Sequence, residues 1–215
     1  LILAGDDVCF VTEGRIGLEA ARIFIEKLSA LENTVDHKKY TACAGVAIVH
    51  QKYPFYKAYE LSEMLCSNAK RFLASFNDDK ISEAGTKGCA IDWHIEFGEI
   101  IDDLSDMRRK YETADGGTLE LRPYLISAEP EIWEKEKIRR YSAFKRLVSL
   151  LQDKQEVYAR GKIKELRGVL KEGEKATEYY LQSSLIDILD LDIFEDRDQK
   201  DLLNSIGTGK GLERR

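Results

Sequence analysis

Asp6 and Asp7 stand side by side behind Gly5, between the apolar runs Leu1-Ile2-Leu3-Ala4 and Val8-Cys9-Phe10-Val11. Runs of β-formers interrupted by Gly and Asp predict a strand–turn–strand tip, and two carboxylates at such a tip suit divalent metal ions. A metal pair held this way clamps the attacking and leaving oxygens of a phosphoryl transfer. Glycine lets backbone or ligand approach closely, with no Cβ in the way. On a straight strand the two carboxylates would face opposite ways, and a turn breaks that alternation. On these residues alone a second reading stays open, because Asp is common in turns where it bonds its own backbone.

Other chemistry-bearing residues are scattered. Cys9, Cys43, Cys66 and Cys89 lie in apolar or helical runs without CxxC spacing, so they are expected to be buried free thiols, outside zinc sites and disulfides. Asp92, His94 and Glu96 occupy alternate positions of one predicted strand and are expected on its solvated or loop-covered face. His50, at the end of a strand, is expected to make ordinary hydrogen bonds, and nothing marks His37 as catalytic. Arg160, Lys162, Lys164, Arg167 and Lys171 give one helix a basic side suited to RNA phosphates or an acidic partner. Glu165 and Glu172 are interleaved with them, so a solvated face is expected. Trp133 and the Tyr179-Tyr180 pair are expected to pack between helices. Gly207 to Gly211 resembles a phosphate loop, but the GxxxxGK[ST] spacing is absent, and a frayed tail is expected.

The elements that must position these residues follow from periodicity. Ala20, Ala21, Phe24, Leu28 and Leu31 predict an amphipathic helix over 17–31. The run CAGVAIVH, 43–50, has no polar alternation and predicts a strand buried on both faces. Ala58, Leu61, Leu65, Ala69, Phe72 and Phe76 form one stripe of a long helix over 55–76. Cys89 to Phe97 alternates and predicts a half-buried strand. Beyond 103 the chain turns charge-rich, with a short extended piece at 121–125. Helices are predicted over 131–153, 155–172, 174–190 and 197–205.

This order predicts an α+β fold with helices on one face of a mainly antiparallel sheet. The expected domains are 1–103, a helical 104–206, and a flexible 207–215. The 215 residues carry 43% hydrophobic content, enough for a core, and a formal charge of −6, which gives no general attraction to nucleic acid. No run approaches the roughly 20 apolar residues of a membrane-spanning helix. A cytoplasmic location without membrane contact is expected. The chain opens at Leu1 directly in an apolar strand, so it is expected to be a piece of something longer.

The pieces LILAGDDVCFV (1–11), AGVAIVHQKYPFYKAYELSEMLCSNAK (44–70) and CAIDWHIEF (89–97) together resemble the GGDD-bearing palm domain of the large subunit of type III CRISPR effector complexes. That palm is similar in turn to GGDEF diguanylate cyclases. The resemblance implies a ferredoxin-like palm whose first strand, carrying a further metal-binding carboxylate, precedes Leu1. It implies that Asp6 and Asp7 hold two Mg2+ or Mn2+ ions, that Ala4 and Gly5 line the nucleotide, and that Lys70 reaches the triphosphate. Ala4 stands where the family usually has Gly. The implied activity is that of a nucleotidyltransferase in antiviral defence, converting ATP to cyclic oligoadenylates with loss of pyrophosphate. Other effector subunits and guide or target RNA are the implied partners, and the carboxy-terminal helices resemble the family's helical domain. This chain alone is expected to be catalytically incomplete. Two alternatives remain: an inactive palm serving as scaffold or nucleotide sensor, and a diguanylate cyclase. Against the latter, its signature would have Glu at position 7 and Phe or Tyr in place of Val8.

Overall fold

A computed structural model describes residues 2–76, 87–97, 103–153 and 160–184. The fold is α+β. Two strands, β1 (Ile2–Ala4) and β2 (Asp7–Cys9), form an antiparallel hairpin, and α1 (Gly14–Ser29) follows. Then come β3 (Cys43–Ile48), α2 (Phe55–Ala74) and β4 (Gly88–Ile95). After α3 (Leu104–Arg108) the chain returns as β5 (Tyr124–Ala128) and α4 (Pro130–Lys135). The last elements are α5 (Tyr141–Asp153), α6 (Arg160–Val169) and α7 (Glu174–Ser183). The chain divides into two compact units, Leu1–Leu104 with Arg122–Glu136, and Ser105–Leu121 with Lys137–Arg215.

The main sheet of the first unit runs β3-β4-β5. β3 and β4 are parallel, with Gly45 opposite Asp92 and Ala47 opposite His94, while β5 pairs antiparallel with β4. The sheet is therefore mixed, where a mainly antiparallel one was expected. The reason is the connection: α2 carries the chain back over the sheet, and a strand–helix–strand crossover makes its two strands parallel. The piece at 121–125, expected to lead the helical domain, supplies the start of β5 and belongs to this sheet.

Nor are the helices on one face. Leu61, Leu65, Ala69 and Leu73 recur every fourth residue and bury one stripe of α2. They press so closely on β3 that a Cβ at Gly45 would lie 2.9 Å from that of Leu65 and collide with backbone at Ser62 and Cys66. Neighbouring strand residues point to the opposite face, where Cβ atoms at Gly14 and Gly17 of α1 would meet Ile48 and Val46 at 3.2 and 3.9 Å. Each helix thus covers its own side of the sheet. On the α2 side, Ala69, Leu73, Ala90, Leu125 and Ile132 form a core with Cys43 and Trp133 against it. On the α1 side, Trp93 stacks on Tyr124 at 5.2 Å, and Arg122 lies over the indole and donates to the Trp93 carbonyl.

Two strand expectations exchange places. β3, expected to be buried on both faces, is half-buried throughout, because among the described residues no strand pairs with its outer edge. β4, expected to be half-buried, is the central strand and is buried from Gly88 to His94. The predicted helix over 131–153 is broken: α4 ends at Lys135, a 3₁₀ turn covers Lys137–Arg139, and α5 begins at Tyr141. Predicted helical residues 154–159 and 185–190, the helix over 197–205 and the tail lie outside the described residues.

In the second unit the loop at Thr113–Gly117 turns through Gly116 and bonds to the chain after α6, Ala114 N–H donating to the Lys171 carbonyl at 2.8 Å. Asp115 accepts from the backbone N–H of Glu174 at 3.1 Å, capping α7 from a distant loop. Gly173, at φ +103°, leaves room for that carboxylate, since a Cβ there would stand 2.7 Å from Asp115 Cγ. Its hydrogen bond with the Thr113 hydroxyl, and then the cap, hold the Asp115 carboxyl below its ordinary value.

Candidate functional site

The tip of the β1–β2 hairpin pairs Ala4 with Asp7 and leaves Gly5 and Asp6 as a two-residue loop. Gly5 takes φ +66°, and Asp6 is not among the non-glycine residues with positive φ. A positive φ at the first loop position alone is the pattern of a type II′ turn, which favours Gly there. Nothing lies within 4 Å of where a Gly5 Cβ would be, so glycine is required by backbone conformation and not by crowding. Ala4, Gly5, Asp6 and Asp7 are all exposed, as is most of the hairpin; Ile2 and Leu3 are 58% and 67% accessible.

Lys70 lies four turns along α2, exposed and one residue past the buried Ala69. Hairpin and helix meet electrostatically at Cys66. Burial pushes the Cys66 thiol up, Lys70 pulls it down, and Glu63 and Asp7 push it up further. Tyr59 is likewise raised, chiefly by Glu63, with smaller contributions from burial, Cys9 and Asp7. Asp7 and Lys70, separated by more than sixty residues of chain, therefore act on the same thiol.

Tyr59, Glu63, Cys66 and Lys70 follow one another at steps of four, three and four, which puts them along one side of α2. From the sequence Lys70 was singled out as a phosphate contact and Cys66 only as a free thiol. The spacing of the other three was readable, but nothing in the sequence told which side of the helix meets the hairpin.

Among the described residues no three His, Cys, Asp or Glu side chains gather closely enough to hold a metal ion. Asp6 and Asp7 remain as a pair. Mg2+ is commonly bound through one or two carboxylates, with waters and substrate phosphates filling its other positions. Two adjacent exposed carboxylates therefore fit a phosphate-bound magnesium ion, and do not by themselves make a closed protein cage.

No protein-family model and no curated protein matches the chain.

The other polar set of the first unit lies deep. Asp92 and His94 are fully buried and Glu96 is 5% accessible, so the expectation of a solvated strand face is overturned. These positions alternate on the face of β4 that α2 covers, beside Gly45 and Ala47 of the neighbouring strand. Asn68 of α2 donates to Asp92 at 2.8 Å, and His94 Nε2 stands 3.4 Å from a Glu96 oxygen. The set ties strand to helix. His50 accepts from the Lys52 N–H through Nδ1 at 3.2 Å, an ordinary loop bond, and His37 sits exposed in a turn at φ 55°. All four cysteines are free thiols, but of the four only Cys89 is buried; Cys9, Cys43 and Cys66 are half-buried, where all were expected inside. Trp133 packs against the core as expected, and Tyr180 reaches α6, but Tyr179 is 75% accessible and does not pack between helices.

Proposed function

We propose that the first unit is a nucleotide-binding palm, related to those of type III CRISPR large subunits, that takes ATP with Mg2+ or Mn2+. The protein it belongs to is read as a cytoplasmic cyclic-oligoadenylate synthase of antiviral defence. The observation that carries this reading is the hairpin tip: an open Gly5 turn exposes the adjacent Asp6 and Asp7, and an exposed cation, Lys70 on α2, acts with Asp7 on the same Cys66 thiol. A metal-bound triphosphate needs that pairing, with carboxylates on the metal side and an ammonium on the phosphate oxygens. The order hairpin, helix, strand, helix, strand supports a palm. The mixed sheet with a helix on each face departs from the ferredoxin-like arrangement.

In this reading Asp6 and Asp7 hold the metal, Lys70 neutralises phosphate charge, and the open turn at Ala4-Gly5 lets the nucleotide pass close to backbone. The metal supplies charge neutralisation at the phosphates and a lowered barrier to in-line attack by a ribose hydroxyl. The chain's own contribution is positioning, because phosphoryl transfer asks for little further covalent chemistry from protein.

The lack of a third ligand among the described residues favours a second reading, in which the palm binds nucleotide or a partner without turnover. Titration of the chain with ATP and Mn2+ tests the first. Binding is expected to vanish in Asp6→Ala/Asp7→Ala and to weaken in Lys70→Ala. Undiminished ATP binding in the double variant would put the nucleotide elsewhere. Magnesium-dependent formation of oligoadenylate by this chain alone would exclude the inactive reading.

A further inference from the structure

On α6 of the second unit, Lys164 and Arg167 stand three residues apart, and Lys171 follows four later in the 3₁₀ turn Leu170–Glu172. At 3.6 residues per turn in α6 and about 3 in the 3₁₀ turn, these three fall within an arc of about 80° on one side of the helix. All three are exposed, and no described carboxylate pairs with them. The sequence interleaves Glu165 and Glu172 with these cations, but the helix separates them. Each acid is about 100° around from its cationic neighbour, and Glu165 is held by the Tyr180 hydroxyl at 3.0 Å. Gly161 and Gly168 lie beside the arc with nothing within 4 Å of their missing Cβ atoms. The half-buried Leu166 and Val169 fall on the opposite side of the helix, and half-buried Ile163 flanks the arc.

We infer that the Lys164–Arg167–Lys171 side of α6 binds the phosphate backbone of single-stranded nucleic acid. The cations are spaced about 4.5 and 6 Å along the axis, from the 1.5 Å rise per residue, so a strand laid along the helix meets one after another. The bare backbone at the two glycines lets it come close. An acidic protein segment is the rival occupant, and protein interfaces are anchored by buried aromatic or apolar groups. The arc offers none, whereas phosphate contacts need only charge and are blind to sequence. The chain's net charge of −6 makes this attraction local and dependent on low salt.

The test is fluorescence anisotropy of labelled 20-nucleotide oligo(U) and oligo(dT) with the 215-residue chain, at salt from 50 to 200 mM. The comparison is with Lys164→Gln/Arg167→Gln/Lys171→Gln and with a control triple, Lys39→Gln/Lys52→Gln/Arg71→Gln, in the first unit. Each lost phosphate contact lowers the salt slope by about 0.7 for a single strand, so the arc triple should lose about 2 in slope. Across that salt range the parent should then lose roughly 20-fold more affinity than the arc triple. The control triple should keep the parental slope, and similar binding of RNA and DNA is expected. Circular dichroism checks that both triples fold; single Gln variants, each lowering the slope by a third as much, give the same reading if the triple does not fold. Absence of oligonucleotide binding at 50 mM salt overturns the inference. So does an unchanged slope in the arc variants, or binding of polyglutamate in place of the oligonucleotides.

Discussion

The first unit contains two sets of acidic residues, and their surroundings are opposite. Asp6 and Asp7 sit on a hairpin tip that buries almost nothing, in an exposed turn whose conformation is set by Gly5. Asp92 and His94 sit on the central strand with Glu96 just past its end, under α2, where Asn68 donates to Asp92 and His94 Nε2 stands 3.4 Å from a Glu96 oxygen. Buried polar groups are costly unless satisfied, so a set that persists at the sheet–helix seam is committed to holding that seam. The hairpin carboxylates are exposed to solvent, and in the proposed reading they serve a ligand. Exposure and local bonding separate the two sets where residue type does not.

The sharpest way to break this comparison is to disturb the seam itself. Gly45→Ala would place a methyl group against the backbone of Ser62 and Cys66, where no side-chain rotation relieves the clash. Lifting α2 from β3 should cost about 3 kcal/mol, read as a lowered urea midpoint. A change under half a kcal/mol would mean that helix and strand are not in such close contact.

Next in size is Asp92→Ala. It removes the acceptor for Asn68 at a fully buried position, and a stranded amide costs about 1–3 kcal/mol. Asn68→Ala in the same background should add less than it does alone, because the partner is already gone. Full additivity would show that the two side chains do not act as a pair.

A further effect is absent at neutral pH and confined to alkaline solution. Burial pushes the Cys43 thiol from its ordinary 9.0 up to about 12, against a weaker opposing pull from a hydrogen bond with the Ala90 backbone. The unfolded thiol loses its proton first as pH rises past 9, so stability is unaffected at neutral pH and declines between pH 9 and 12. Cys43→Ser should flatten part of that decline in a pH series of thermal melts. An identical slope in parent and variant would mean that Cys43 is more open to water than its place beside Ala69 and Leu73 implies.

Much of this arrangement was legible in the sequence. The repeat through Leu61, Leu65 and Ala69 specified α2 and most of its buried stripe, which continues at Leu73 where Phe72 and Phe76 were expected, and Gly5 with its flanking apolar runs specified the hairpin. Periodicity reports which residues share a face, and it does not report what covers that face. Asp92, His94 and Glu96 alternate as a solvated strand would, yet α2 and the neighbouring strands close over them. β5 was missed as a sheet member because its antiparallel partner is more than thirty residues away and its own run is only five long. Which side of α2 lies nearest the hairpin's charge depended on the same long-range geometry, which is why Tyr59 and Glu63 went unremarked beside Lys70 and Cys66 was read only as a free thiol.

The smallest expected effect on stability is the most informative for function. Replacing Asp6 and Asp7 together by Ala touches exposed positions with no packing to lose, and surface changes of this kind usually fall within about half a kcal/mol. Gly5 keeps the turn, so β1 and β2 should still pair. If stability is unchanged while Mn2+-dependent ATP binding is lost, the carboxylates are present for a ligand and for nothing else. If instead the melting temperature falls by several degrees, the pair is acting as turn residues of the kind that bond their own backbone. The contrast with the buried set would then disappear, because both sets of acids would be serving the fold.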